Sequence, residues 1–335
     1  MILFDPPRFV PQATYDQAIE KVVKRLAARG NVRAVYQLGG TGSPGISDID
    51  LLVVSSGDPS ERTDPFQDLD EDERYLFTHD LFGIPESGFQ QLRRFTMYHN
   101  YRLLWGDDVD SDASELDARE QQALKQQIAF EFLLSNYIAR TVDLCYGAVS
   151  IRGLLLSGHA LRYDLEFLGI RAGPLYEMVS ELISWRSTWF ERQPHHELSG
   201  AWLERLVGAV RNVLDERTQG GGFYLPIDSP AKLARHISLE KADAMGFERK
   251  RVLLPNLSGF LGKTGKKFMN RVNRFSFKVP YHSAAHHPIV HERLEFLARM
   301  ATLKDAGAFD FQVPSNNLIH MILRGRRGWR RHRES

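Results

Sequence analysis

The chain carries a single cysteine, Cys145, in 335 residues. One thiol cannot close an internal disulfide, so noncovalent packing has to hold the fold, and such sparing use fits a reducing compartment. Long apolar runs are also missing. Stretches such as Gly153 to Leu156, between Arg152 and Arg162, fall far short of the ~20 residues a membrane helix needs. The opening Met1-Ile-Leu-Phe-Asp-Pro-Pro7 lacks the basic segment and apolar core of a secretion signal. A soluble, cytoplasmic protein with no membrane partner is expected. No internal repeat occurs, and net charge is almost absent, +1 at pH 7.

The near-zero charge conceals an uneven distribution. Residues 1–120 hold 22 acidic against 12 basic side chains, leaving 20 acidic and 31 basic in the remainder. The acids concentrate in Asp58 to Glu73 and Asp107 to Glu120; the bases concentrate in Arg249 to Lys278 and Arg324 to Arg333. At 43% apolar residues, the length fits two or three domains with sizeable cores.

The most informative stretch is Val35 to Val54. An apolar strand, Ala34 to Leu38, runs into a loop containing Gly39, Gly40, Thr41, Gly42, Ser43, Pro44, Gly45 and Ser47. A second strand then opens with Asp48 and Asp50. Residues two apart on a strand share a face, so both carboxylates point one way while Ile49 and Leu51 pack on the other. Two like charges held together repel, and a divalent cation offsets that repulsion. Mg²⁺ or Mn²⁺ bound by one or two carboxylates plus substrate phosphates fits the pattern. Glycine-rich backbone can approach a phosphate closely and offer its N–H groups.

This arrangement resembles the nucleotidyltransferase superfamily, the DNA polymerase β-like fold, whose signature is a strand, Gly-Gly or Gly-Ser, a short loop, then Asp-x-Asp. Gly39, Gly40, Asp48 and Asp50 are the matching residues. Gly40 stands where many small-molecule members carry serine, and Thr41 or Ser43 is available to supply the hydroxyl. Leu104-Trp-Gly-Asp-Asp108 is similar to the edge that closes the catalytic domain in the antibiotic-modifying branch. The resemblance implies metal-dependent transfer of a nucleoside monophosphate from an NTP, with AMP from ATP as the default.

Along the chain, Thr14 to Gln17 reads as a capping box opening a helix to Gly30. Tyr75 to Phe82 reads as a third strand, Phe89 to Tyr98 as a short helix, and Tyr101 to Val109 as a closing strand. From Ser114 the periodicity is helical, with Leu175 to Phe190 and Leu198 to Leu214 as clear amphipathic segments. The expected fold class is α+β. A mixed-sheet catalytic domain over 1–113 is followed by an all-α domain over 114–218. Gly220-Gly-Gly222 serves as linker to a basic region over 223–335 of unknown fold.

Nucleotidyl transfer commonly uses three carboxylates, and Asp80, embedded in an apolar strand, is the expected third metal ligand and a candidate general base. By strand parity His79 faces away and is expected to be structural. Lys125, Arg140, Arg152 and Arg162 are the candidate phosphate contacts from the helices. Gly262-Lys-Thr264 looks like the tail of a P-loop, but the required earlier glycine is replaced by Leu257. Histidines 282, 286, 287 and 291 have zinc-like spacing, yet Pro288 divides them, so a surface loop leading into a helix is expected. Arg249 to Lys278 interleaves basic residues with Phe260, Phe268, Phe275 and Phe277, which suits either RNA or an ordinary basic face over a phenylalanine core. The acceptor hydroxyl therefore stays open between a small molecule, a protein side chain and an RNA end. A non-catalytic nucleotide-binding regulator is the alternative of a different class.

Overall fold

A computed structural model of the protein describes residues 1–57, 63–96, 100–109, 116–192, 197–218, 223–227, 229–251, 258–316 and 318–323. The expected linker at 220–222, the cap at Ser114 and the basic tail from Arg324 lie outside the described residues. From the amino terminus, β1 (Ile2–Phe4) precedes α1 (Gln12–Ala27), β2 (Val32–Leu38) and β3 (Asp50–Ser55). The short α2 (Glu71–Tyr75), β4 (Phe82–Pro85), α3 (Glu86–Phe95) and β5 (Tyr101–Gly106) follow. Then come α4 (Ala118–Tyr146), β6 (Ala148–Ser150), α5 (Ile151–Phe167), α6 (Pro174–Arg192) and α7 (Gly200–Thr218). The last stretch holds β7 (Ala231–Ala234), β8 (Ile237–Lys241), β9 (Gly246–Arg251), α8 (Ser258–Val272), β10 (Arg274–Val279) and α9 (Pro288–Asp305). The chain is α+β with mixed sheets, divided into two compact units.

One unit comprises 8–119 and 292–315. Its sheet has the order β4-β3-β2-β5, with β3 and β4 parallel and the other pairs antiparallel. Strands β2 and β3 are nearly continuous apolar runs because both faces of the sheet are covered. On one face, Tyr15, Ala18, Ile19, Val22 and Leu26 of α1 pack with Val35, Leu51 and Val53. Burying each such aliphatic side chain is worth about 1.5–3 kcal/mol, which fixes α1 against the sheet. On the other, Tyr36 stacks on Phe89 of α3 at 4.8 Å. Residues beyond α9 complete this unit: Gly83 N donates to Gln312 O at 2.8 Å and Gln312 N to Leu81 O at 3.0 Å. A Cβ at Gly83 would lie 2.3 Å from the Asp310 carbonyl, so this close approach requires glycine.

The other unit comprises 1–7, 120–291 and the residues from 316 onward. Helices α5 and α6 pack together, and Trp185 of α6 meets Trp202 of α7 at 4.9 Å. Gly169, at φ +70°, ends the helical run after α5, as its sequence position predicts. The stretch is not wholly helical, because β6 pairs in parallel with β1. Ser150 at the end of β6 then caps α5, accepting from Gly153 N. A second sheet has the order β7-β8-β10-β9, and Phe275 and Phe277 of β10 are fully buried beside Phe247. A buried polar knot ties this unit to its last segment. Gln127 donates to Glu131 at 3.0 Å, and Asn316 donates to the other Glu131 oxygen at 3.2 Å. Among the described residues, no helix is long and apolar enough to cross a membrane.

Candidate metal centre and glycine loop

Three sequence expectations need correction before the site can be built. Helix α1 starts at Gln12 after Pro11 with no side-chain cap, so Thr14 sits inside its first turn. Strand β3 begins at Asp50, leaving Asp48 in the extended segment just before it. The expected strand Tyr75 to Phe82 is instead the end of α2, a turn, and the first residue of β4. The cause lies upstream. Asp70 accepts from Glu73 N while the Glu73 side chain accepts from Asp70 N, a capping box that starts a helix and carries Tyr75 with it.

That short helix braces the loop. Glu73 is buried and pairs with Lys21 of α1 at 2.6 Å. Next to it, Tyr75 donates its hydroxyl to Gly45 O at 2.9 Å, and Leu76 O accepts from Ile49 N at 3.0 Å. From α1, the fully buried Tyr15 donates to Ser47 O at 2.8 Å and accepts from Gly45 N at 2.9 Å. Within the loop, Ser43 O accepts from Ile46 N and Ser47 N, and Ser43 N donates to Ser47 Oγ at 3.1 Å. Ser43 and Ser47 therefore order the turn that delivers Asp48. Gly39, Gly40 and Gly42 are exposed, and the backbone amides of Gly40, Thr41 and Gly42 form no hydrogen bond among the described residues. The Thr41 hydroxyl accepts from Gln12 at 3.1 Å.

Asp48 and Asp50 come together as expected, with Ile49 buried between them on the opposite side. The third member of the group is His79. Ligand atoms of Asp48, Asp50 and His79 all lie within 4.8 Å of one another, and His79 Nε2 is 2.8 Å from Asp50 Oδ1. Asp80 is exposed on the turn and does not belong to this group. Parity misplaced both residues because it assumed a strand where the chain turns. Asp108, an alternative third acid, has its carboxylate occupied by the Tyr36 hydroxyl at 2.8 Å.

The electrostatics of the group are those of a site built for positive charge. Burial and the Asp50 charge raise Asp48 above the ordinary carboxylate range, against the opposing pull of the Thr78 hydroxyl at 2.5 Å and of His79. Burial disfavours the His79 imidazolium, but pairing with Asp50, the Asp80 carbonyl and the Asp48 charge outweigh it and raise His79 to about 9. Asp50 Oδ1 is buried and accepts no hydrogen bond; the imidazole sits at ion-pair distance without the alignment for one. A buried carboxylate oxygen facing a second carboxylate and an imidazole nitrogen fits a divalent cation.

The remaining candidates are occupied elsewhere. Arg140 lies 3.1 Å from buried Asp143, Arg162 donates to Ser180 and stacks over Tyr176, Arg152 is buried, and Lys125 lies over the Phe167 ring. Lys266 also pairs with Asp143, and Phe275 and Phe277 fill a core, so these members of the basic stretch are structural. Cys145 is half-buried on α4, and burial raises its thiol. His282 and His286 meet edge to face at 4.8 Å, but among the described residues they join no group of three metal-ligand side chains.

No protein-family model matches this chain, and no curated protein or solved structure matches it either.

Proposed function

We propose that this chain is a metal-dependent nucleotidyltransferase of the DNA polymerase β-like type, moving a nucleoside monophosphate, AMP from ATP, to an acceptor hydroxyl. One observation carries the reading: Asp48 and Asp50 converge at the start of β3, directly after a glycine loop in which Gly40 and Gly42 are exposed and the amides at 40–42 form no hydrogen bond among the described residues. In this reading the two carboxylates hold the ion and the loop amides donate to phosphate oxygens. A divalent ion supplies charge neutralisation on the phosphates and activation of the attacking hydroxyl. Tyr15 and Tyr75 keep the carboxylates in place by fixing Gly45 and Ser47 from two helices. Phe275, Phe277 and Lys266 are engaged within the protein, which favours a small-molecule or protein hydroxyl as acceptor; the exposed Phe268, Lys267, Arg271 and Lys278 keep an RNA end as the alternative.

The test is a thermal-shift screen of the full chain with each NTP and Mg²⁺ or Mn²⁺, followed by pyrophosphate release across an acceptor panel. Stabilisation by NTP should require the metal, and Asp48→Asn or Asp50→Asn should abolish it. Turnover should fall at least about 100-fold in either variant, since groups that merely orient metal ligands are already worth 10–100-fold. Metal-dependent NTP binding without pyrophosphate release would favour a regulator that keeps the fold. Unchanged NTP binding in both variants would remove the reading.

A further inference from the structure

The imidazole of His79 has one nitrogen tied and one aimed. Nδ1 lies 2.6 Å from the Asp80 backbone carbonyl. A carbonyl only accepts, so Nδ1 carries a proton, and Nε2, which gives up its own proton when an ion binds, is the nitrogen directed at the carboxylate pair. Metal-binding histidines show this pattern: the second ring nitrogen donates to a carbonyl or carboxylate and thereby sets the tautomer and the ring orientation. The spacing agrees. Adjacent ligands of an octahedral ion with ~2.1 Å bonds stand about 3 Å apart, and Nε2 to Asp50 Oδ1 is 2.8 Å. Thr78, on the same turn, donates to Asp48 Oδ2 and leaves the other Asp48 oxygen for a ligand role. The His79 ring packs against Phe82 with centroids 4.9 Å apart, which holds the imidazole from its other side.

We propose that His79 is a direct ligand of the ion held by Asp48 and Asp50, so that this centre selects a divalent transition ion, with Mn²⁺ as the spectroscopic probe, over Mg²⁺. The inference rests on the metal-dependent reading above and adds an identity for the ion. Mg²⁺ takes oxygen ligands and keeps its waters, whereas an imidazole in the set favours transition ions. Asp80 then has no metal role, although its backbone carbonyl orients the ligand.

The experiment titrates Mn²⁺ into the full chain by electron paramagnetic resonance, with electron spin-echo modulation on the bound ion and calorimetric titration of Mg²⁺ in parallel. Wild type should show ¹⁴N modulation from a bound imidazole and should bind Mn²⁺ at least tenfold more tightly than Mg²⁺. His79→Gln should abolish the modulation and weaken Mn²⁺ about 10–100-fold, while changing Mg²⁺ affinity less than threefold. His79→Asp should restore binding without the modulation and shift preference toward Mg²⁺; Asp80→Asn should leave both affinities within threefold. Circular dichroism verifies that each variant is folded, and a misfolded His79→Gln leaves the wild-type modulation to decide alone. Bound Mn²⁺ without ¹⁴N modulation, or loss of binding in Asp80→Asn rather than His79→Gln, overturns the His79 ligand while the carboxylate pair stands. If wild type binds neither ion, both the ligand and the metal-dependent reading fall.

Discussion

Removing one oxygen atom at Tyr15→Phe should loosen the Asp48–Asp50 pair without touching it. The Tyr15 hydroxyl is fully buried, donates to Ser47 O at 2.8 Å and accepts from Gly45 N at 2.9 Å. Phenylalanine keeps the packing and strands one buried carbonyl and one buried N–H. An unmade buried hydrogen bond costs about 1–3 kcal/mol per group, so a loss of about 2–6 kcal/mol is expected. Tyr75→Phe is the control. It removes the bond to Gly45 O and a longer one from Arg8 N at 3.3 Å, both at a half-buried side chain, and at about 0.5–1.5 kcal/mol per bond its cost should be about 1–3 kcal/mol. Urea denaturation reads the totals, and hydrogen exchange at the Gly45 amide reads the local opening, which should accelerate far more in Tyr15→Phe. Mn²⁺ affinity should also fall, because Asp48 follows Ser47 directly. A Tyr15→Phe protein within about 0.5 kcal/mol of wild type, or no less stable than Tyr75→Phe, would refute the idea that this hydroxyl fixes the loop.

Two further outcomes test the fold. Burial, with Lys266 and Arg274, lowers His236 to about 4 from 6.5, so the unfolded chain binds a proton there that the folded chain does not. Its stabilising effect is complete above pH 6.5 and is lost as pH falls from 6.5 toward 4. After discounting for partial exposure this is ~1–2 kcal/mol, and His236→Asn should flatten that part of the stability-versus-pH curve. Gly83→Ala should cost ~1–3 kcal/mol by overpacking against the Asp310 carbonyl, measured by urea denaturation; a neutral effect would mean that the 310–312 segment is not held against β4.

The carboxylate pair was legible because three local signals coincide: an apolar strand, a glycine loop and alternation across Ile49. The helices α6 and α7 were legible for a similar reason, since their apolar period persists over 19 residues each. His79 was hidden by a competing pattern. Tyr75 to Phe82 is aromatic and apolar enough for a strand, and only the Asp70–Glu73 box shows that Tyr75 belongs to a helix and that a turn must follow. That signal was present in the sequence, within the acidic stretch Asp58 to Glu73. The return of 292–315 to the first unit had no local signal at all. It depends on the absence of a side chain at Gly83, which becomes meaningful only when Gln312 lies beside it. Phe275, Phe277 and Lys266 show a related limit: composition counts basic and aromatic residues but cannot say that these particular ones face inward.

The glycine loop is divided into a fixed half and an open half. Residues 43–47 are held by two tyrosines and their own hydrogen bonds, while 40–42 carry unused amides. Ordering a residue's backbone costs about 1–2 kcal/mol of entropy. For 43–47 that cost is met when the chain folds, through contacts with α1 and α2. A ligand that closed on the loop would have at most the three residues at 40–42 to order, of which Thr41 is already tied to Gln12, so most of its interaction energy would remain as affinity. The same division separates the effects of mutation. Changes at 43–47 should register as lost stability, and changes at Gly40 and Gly42, which are exposed, chiefly at a ligand.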